Sequence, residues 1–191
     1  MKKQNNLIII LIIFTLPFIF SYYFLKIQDS NERWETTNYG KFIEPLVPLT
    51  EFEIKLFNNA LLNNKDLINK WTLIYITKNQ CLKECSKDIH LLRQVHIALG
   101  KDINRVQRVF LSNYDEKISF LKNLEAEYPN LLFSNIRPNQ LYKIIHKISK
   151  KDKQIYLVNP AGNVILTYKS NFNGQKLLKD LKKLLKFSKK E

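Results

Sequence analysis

Residues 71–86 read WTLIYITKNQCLKECS, and the fold is decided here. Trp71 to Thr77 is an uncharged run of apolar and β-branched side chains, which is the composition of a strand. Beyond Ser86, Ile89, Leu92, Val95, His96 and Leu99 recur at helical spacing, and Gly100 follows as a natural helix stop. Cys81 and Cys85, the only cysteines in the chain, therefore stand where a strand hands over to a helix.

That position gives the pair its chemistry. If the first turn is helical, residues four apart share a face, with Cα atoms about 6 Å apart from the helical rise. This separation permits a disulfide, and it equally lets two thiolates hold one soft ion such as Cu(I). A helix N-terminus lowers a thiol pKa. Lys78, Lys83 and Lys87 add positive charge and Glu84 opposes it. Cys81 lies nearer the N-terminus and is expected to be the more reactive thiol. Two cysteines are too few for a disulfide-rich scaffold, so a redox pair, a metal site and two unrelated buried thiols are the alternatives.

Downstream, Arg105–Ser112 reads as a second strand and Asp115–Tyr128 as a helix, with Asn113 or Asp115 as its cap. Leu131–Phe133 is a short strand and Pro138 to about Lys147 a helix. Gln154–Asn159 and Val164–Tyr168 are strands joined by the turn PAGN, and Asn173–Phe187 is a closing helix with leucines on one face. Upstream, Glu51–Phe57 reads as a strand, and Gly40–Thr50, with two prolines, as an extended lead-in. Alternating strands and helices followed by a hairpin and a helix predict an α/β domain. Its mixed sheet is flanked by helices, with the cysteines in the first β-to-α turn: the thioredoxin-like arrangement.

Leu7 to Leu25 (LIIILIIFTLPFIFSYYFL) is nineteen residues without a charge, preceded by Lys2 and Lys3 and followed by Lys26. That length is near the roughly 20 residues that cross a bilayer. It exceeds a signal-peptide core, and bulky residues fill its exit, so an uncleaved anchor is expected. The expected organisation is a cytoplasmic N-terminus (1–6), a transmembrane helix (7–25), a juxtamembrane linker and lead-in (26–50) and a thioredoxin-like domain (51–191). The expected location is a bacterial inner membrane, single pass, with the domain on the periplasmic side, where disulfides persist.

The formal net charge is +14, which favours anionic partners without choosing among them. Nucleic acid is not expected, because no basic face with interleaved aromatics is evident. Lys101, Arg105 and Arg108 read as a solvated basic cluster. The basic, amphipathic C-terminal run KLLKDLKKLLKFSKK reads as a helix that docks its leucines on the sheet, with an anionic membrane surface as the rival use of its lysines.

The anchor, the strand Trp71–Thr77, Cys81-x-x-x-Cys85 and the unit IYLVNPAGNV (Ile155–Val164) resemble the Sco/SenC family of cytochrome oxidase assembly proteins. NYGKFIEPLVPL and RQVHIALGKDINRVQRVFLS are similar to small transmembrane proteins associated with bacterial oxidase assembly. The resemblance implies a membrane-anchored assembly factor or chaperone. Its cysteines would exchange disulfides, as a thiol-disulfide oxidoreductase does, or handle Cu(I) at the copper site of an oxidase subunit, its partner. Leu82-Lys83-Glu84 lacks the family's proline, and Lys150, Lys151 or Asp152 stands where the family's third copper ligand, a histidine, is expected. A two-thiol site, a purely redox site and a ligand from elsewhere stay open. His146 is the nearest candidate for that ligand, and His90 and His96 are lesser ones. The alternative is a non-catalytic, membrane-tethered scaffold that binds an oxidase subunit, with structural or dispensable cysteines.

Overall fold

The computed structural model describes residues 11–23, 26, 38–112, 118–135, 140–148 and 153–188. The chain divides into two compact units, Met1–Thr37 and Asn38–Glu191. In the first, residues 11–23 are helical (α1). Among the described residues no helix is long and apolar enough to cross a membrane. Residues 7–10, 24 and 25 of the expected span lie outside the described residues.

Among the described residues the second unit carries eight strands: β1 (Lys41–Pro48), β2 (Glu53–Lys55), β3 (Leu61–Asn63), β4 (Trp71–Thr77), β5 (Val106–Ser112), β6 (Leu131–Asn135), β7 (Gln154–Val158) and β8 (Asn163–Lys169). Its helices are α2 (Lys83–Ile97), α3 (Ile118–Glu127), α4 (Gln140–Ile148) and α5 (Gly174–Phe187). Six strands form one sheet in the order β1-β8-β7-β4-β5-β6. β4 pairs parallel with β5 and antiparallel with β7, so the sheet is mixed as expected. All seven residues of β4 are buried, because helices and loops cover both of its faces.

Side chains alternate across the sheet and feed two cores. Leu73, Tyr75, Phe110, Ile155 and Leu157 pack with residues of α2, α3 and α5 on one face. Ile74, Ile76, Val109, Leu111 and Tyr156 pack with Leu141 and Ile145 of α4 and with the segment from Leu49 to Leu67 on the other. The closing helix docks its leucine face: Leu177, Leu181 and Leu185 are buried, each worth about 2 kcal/mol of transfer free energy.

Several boundaries differ from the sequence reading. The two-proline lead-in is extended, and it is built into the sheet as edge strand β1, antiparallel to β8 with an irregularity between Phe42 and Val47. The strand expected over Glu51–Phe57 shrinks to Glu53–Lys55 and pairs with β3 in a separate two-stranded ribbon. Gly100 does not cap α2, which ends at Ile97. It takes φ +58° and opens a 3₁₀ turn, Gly100–Arg105. The proposed caps Asn113 and Asp115 lie outside the described residues.

The N-terminal entry to this unit is tied down by a buried carboxylate. Asp180 of α5 accepts from the Tyr39 N–H (2.9 Å), the Gly40 N–H (2.9 Å) and the Tyr168 hydroxyl (2.8 Å). Gly40 runs so close to Tyr168 that a Cβ there would stand 2.5 Å from the ring, so no larger residue fits.

Candidate functional site: the Cys81–Cys85 disulfide

β4 ends at Thr77, whose hydroxyl donates to the Asn79 carbonyl (2.9 Å) and turns the chain. Cys81 follows in the connecting segment, Leu82 is the N-cap, and Cys85 is the third residue of α2. The two cysteines form a disulfide with Cα atoms 5.2 Å apart, a little under the separation expected for an ideal helix turn. The pair is asymmetric: Cys85 is fully buried, Cys81 keeps 6% exposure and Leu82 between them is exposed. Leu82 has no side-chain oxygen to accept from the first-turn N–H groups, so the positive end of α2 is not quenched by a cap beside Cys81.

Charge at the mouth comes from both chain directions. Lys153, just before β7, donates to Glu84 of the first turn of α2 at 2.8 Å. That hydrogen bond and the ammonium's charge hold the exposed Glu84 carboxyl below the usual range. Behind the pair, Asp88 lies three residues after Cys85 and is buried. It accepts from the Ser170 hydroxyl (2.6 Å), the Asn171 N–H (3.1 Å) and the Tyr75 hydroxyl (3.2 Å). These bonds fix the first turns of α2 to β4 and to the loop after β8. The sequence gives no sign of this role, because the partners lie 13 to 83 residues away.

The histidines separate. His146 is half-buried on α4, its ring 5.6 Å from Tyr142, and the buried residues of α4 belong to the core on the opposite face from α2. The structure therefore brings Cys81 and Cys85 together and does not bring His146 to them. His90 is exposed beside Gln94, at 3.3 Å. His96 is buried, with Nε2 facing the carbonyls of Val106 (2.7 Å) and Ile103 (3.0 Å). Two acceptors make Nε2–H the donor. Burial lowers the His96 pKa, and the charge of Arg108 adds to that. Lys150, Lys151 and Asp152 lie outside the described residues.

The two thiols are suitable soft donors for Cu(I) when reduced. Among the described residues no group of three or more His, Cys, Asp or Glu could hold a metal ion, so none of them adds a third ligand to the pair.

Of the basic cluster read as solvated, only Lys101 is exposed. Arg105 bonds Asp102, the Leu185 carbonyl and Ser188, tying the 3₁₀ turn to the end of α5. Arg108 is 3% exposed, and its Nε and Nη1 have no hydrogen-bond partner. Burial, together with the charge of Arg93, pulls its pKa down to about 10. A strand position facing the helices forces this burial, which charge counting along the sequence does not reveal.

A disulfide at the first β-to-α turn of a mixed sheet flanked by helices defines a thioredoxin-like protein. The family described as "Transmembrane-like, thioredoxin-like, C-terminal domain" matches residues 71–188, more than half of the chain, and the chain belongs to it. Among solved structures it is similar to apo Sco1 from Thermus thermophilus (TM-score 0.62, 16% identity, 80% of this chain and 99% of that one). Yeast Sco1 is similar at TM-score 0.61 and 16% identity, over 75% of this chain and 97% of that one. A DsbF homologue from Corynebacterium diphtheriae is similar at TM-score 0.61 and 12% identity, over 81% and 97%. At such identities the likeness is one of fold. No curated protein matches the chain in sequence.

Proposed function

We propose that this chain is a membrane-anchored thiol–disulfide exchange factor in cytochrome oxidase assembly, acting on the cysteines of an oxidase copper-site subunit. The observation that carries the reading is the asymmetric Cys81–Cys85 disulfide at the β4-to-α2 turn. The apolar N-terminal segment would hold the chain in a bacterial inner membrane, with the folded unit on the periplasmic side. The oxidase connection rests on the neighbours, since BsSco, of similar fold, belongs to the Sco family of cytochrome c oxidase assembly proteins and carries a disulfide switch.

In the exchange the reduced Cys81 thiolate attacks one sulfur of a client disulfide. A mixed disulfide forms and one client thiolate leaves. The Cys85 thiolate then attacks the Cys81 sulfur, releasing the second client sulfur and closing the Cys81–Cys85 bond. Two electrons pass to the client, and the protons lost from Cys81 and Cys85 end on its two thiols. A dithiol reductant must reset the pair. Helix-start placement favours the thiolate on Cys81, and burial keeps Cys85 for the intramolecular step.

The test is a Cys85→Ser chain expressed in cells. It is expected to accumulate a mixed disulfide with a client, while Cys81→Ser/Cys85→Ser traps nothing and loses terminal oxidase activity. Normal oxidase activity in the double variant refutes the exchange reading and leaves the tethered scaffold. Copper handling is a second reading, favoured by ScoI neighbours of similar fold with copper bound. Anaerobic Cu(I) titration of the reduced chain against a chelator, beside the double variant, decides it.

A further inference from the structure

A shallow groove of about 340 Å³ opens between the start of β1, the end of β8 and the first turn of α5. Lys41, Lys169 and Lys176 line it, and no acidic side chain among the described residues does. Lys176 Nζ sits 5.1 Å over the Tyr39 ring. The Thr167 hydroxyl, also in the lining, is buried without a hydrogen-bond partner. The exposed face of α5 extends the same charge through Lys179, Lys182 and Lys186. The one carboxylate of that helix, Asp180, is buried and engaged by Tyr39, Gly40 and Tyr168. The leucines that an amphipathic helix would insert into lipid are committed to the core. Only an electrostatic use of the lysines remains.

We propose that the groove of Lys41, Lys169 and Lys176, with the lysine face of α5, docks on the anionic phospholipid headgroups of the membrane that holds the N-terminal segment. This rests on the membrane reading above. Like charges held together without counter-charge cost stability, and an anionic surface removes that cost. The entry of the chain supports lipid as the partner. The folded unit begins at Asn38, and Tyr39 is at once a groove residue and the point fixed to α5. Residues 24–37 span at most about 50 Å even when fully extended, which limits the tether between the N-terminal segment and Tyr39. Surface lysines within a Debye length of anionic lipid gain roughly fivefold in binding each.

The full chain is reconstituted into vesicles of phosphatidylcholine alone, or with three parts in ten phosphatidylglycerol, and lysine acetylation rates are read by mass spectrometry. Lys41, Lys169 and Lys176 are expected to react about fivefold or more slowly in the anionic vesicles, with the difference lost near 1 M salt. Lys65 and Lys70, on the segment over the other face of the sheet, serve as references and should not change. Equal rates in both vesicles overturn the proposal. So does protection by inorganic phosphate in phosphatidylcholine vesicles that matches protection by the anionic lipid, since the groove would then take free anions. An alkaline carbonate wash separately asks whether the N-terminal segment spans. If the chain washes off, the anchor reading fails, while lipid-dependent protection measured before the wash still decides the docking. In a Lys41→Glu/Lys169→Glu/Lys176→Glu chain the lipid dependence should be lost at Lys179, Lys182 and Lys186, which the native chain protects along the exposed face of α5, while the disulfide stays normal.

Discussion

Reducing the Cys81–Cys85 disulfide should soften the domain without unfolding it. The bond closes a loop of only four residue steps. Chain-entropy cost for so short a loop is about 2 kcal/mol at 25 °C. The folded unit, Asn38–Glu191, is of a size at which 1 kcal/mol moves the melting midpoint by about 2–4 °C, so reduction should lower Tm by about 4–8 °C. Two cores on opposite faces of the sheet bear most of the stability, and in the first core Cys81 and Cys85 are two members among more than twenty. The assay is calorimetry of the oxidised chain, the chain in excess phosphine reductant and the Cys81→Ser/Cys85→Ser variant, with circular dichroism to confirm retained structure. A Tm fall beyond about 15 °C, or loss of a cooperative transition, would show that the bond is a structural staple. The inference from loop length to a pair free to cycle would then be wrong. In the reduced chain, alkylation should also find Cys81 before Cys85, as their burial dictates.

Other perturbations reach the charges around the pair and beneath α2. Lys153→Met should raise the Cys81 thiol pKa and Glu84→Gln should lower it, each by less than about one unit because the ion pair is solvent-screened. The pH profile of iodoacetamide alkylation reads both shifts, and shifts of the same sign would sink the idea. His96 has its pKa lowered in the folded state, so the unfolded chain binds more protons just below the ordinary histidine value. Stability from this group is therefore complete above about pH 6.5 and lost as pH falls below it. Urea midpoints at pH 7 and pH 5 should differ less for His96→Gln than for the native chain. Arg108→Met removes a buried cation with two unpartnered nitrogens and should be neutral or stabilising by about 1–3 kcal/mol in urea denaturation. A loss of more than about 2 kcal/mol would mean that the guanidinium has a stabilising partner in solution.

The sequence by itself determined the order of the elements from β4 onward and the place of the cysteines among them. Both follow from local rules: hydrophobic period separates Trp71–Thr77 from the helix after it, and two cysteines four apart at that junction can reach each other in any fold that keeps the turn. Tertiary structure alone decided which polar side chains went inside. Asp180 and Asp88 look like ordinary surface acids on amphipathic helices. They are buried because Tyr39, Gly40 and Tyr168, or Tyr75, Ser170 and Asn171, bring donors to them, and Tyr39 does so across 141 residues. Arg108 looked solvated beside Arg105, yet its strand position points it under the helices. His146 lies close in sequence to the position where the resemblance places a third ligand, yet α4 packs on the other face of the sheet. The two-proline lead-in became an edge strand because β8 offered an unpaired edge. Periodicity reports what a residue's neighbours in sequence require of it, whereas burial of a charge and the choice of sheet face depend on groups that only folding brings within hydrogen-bond distance.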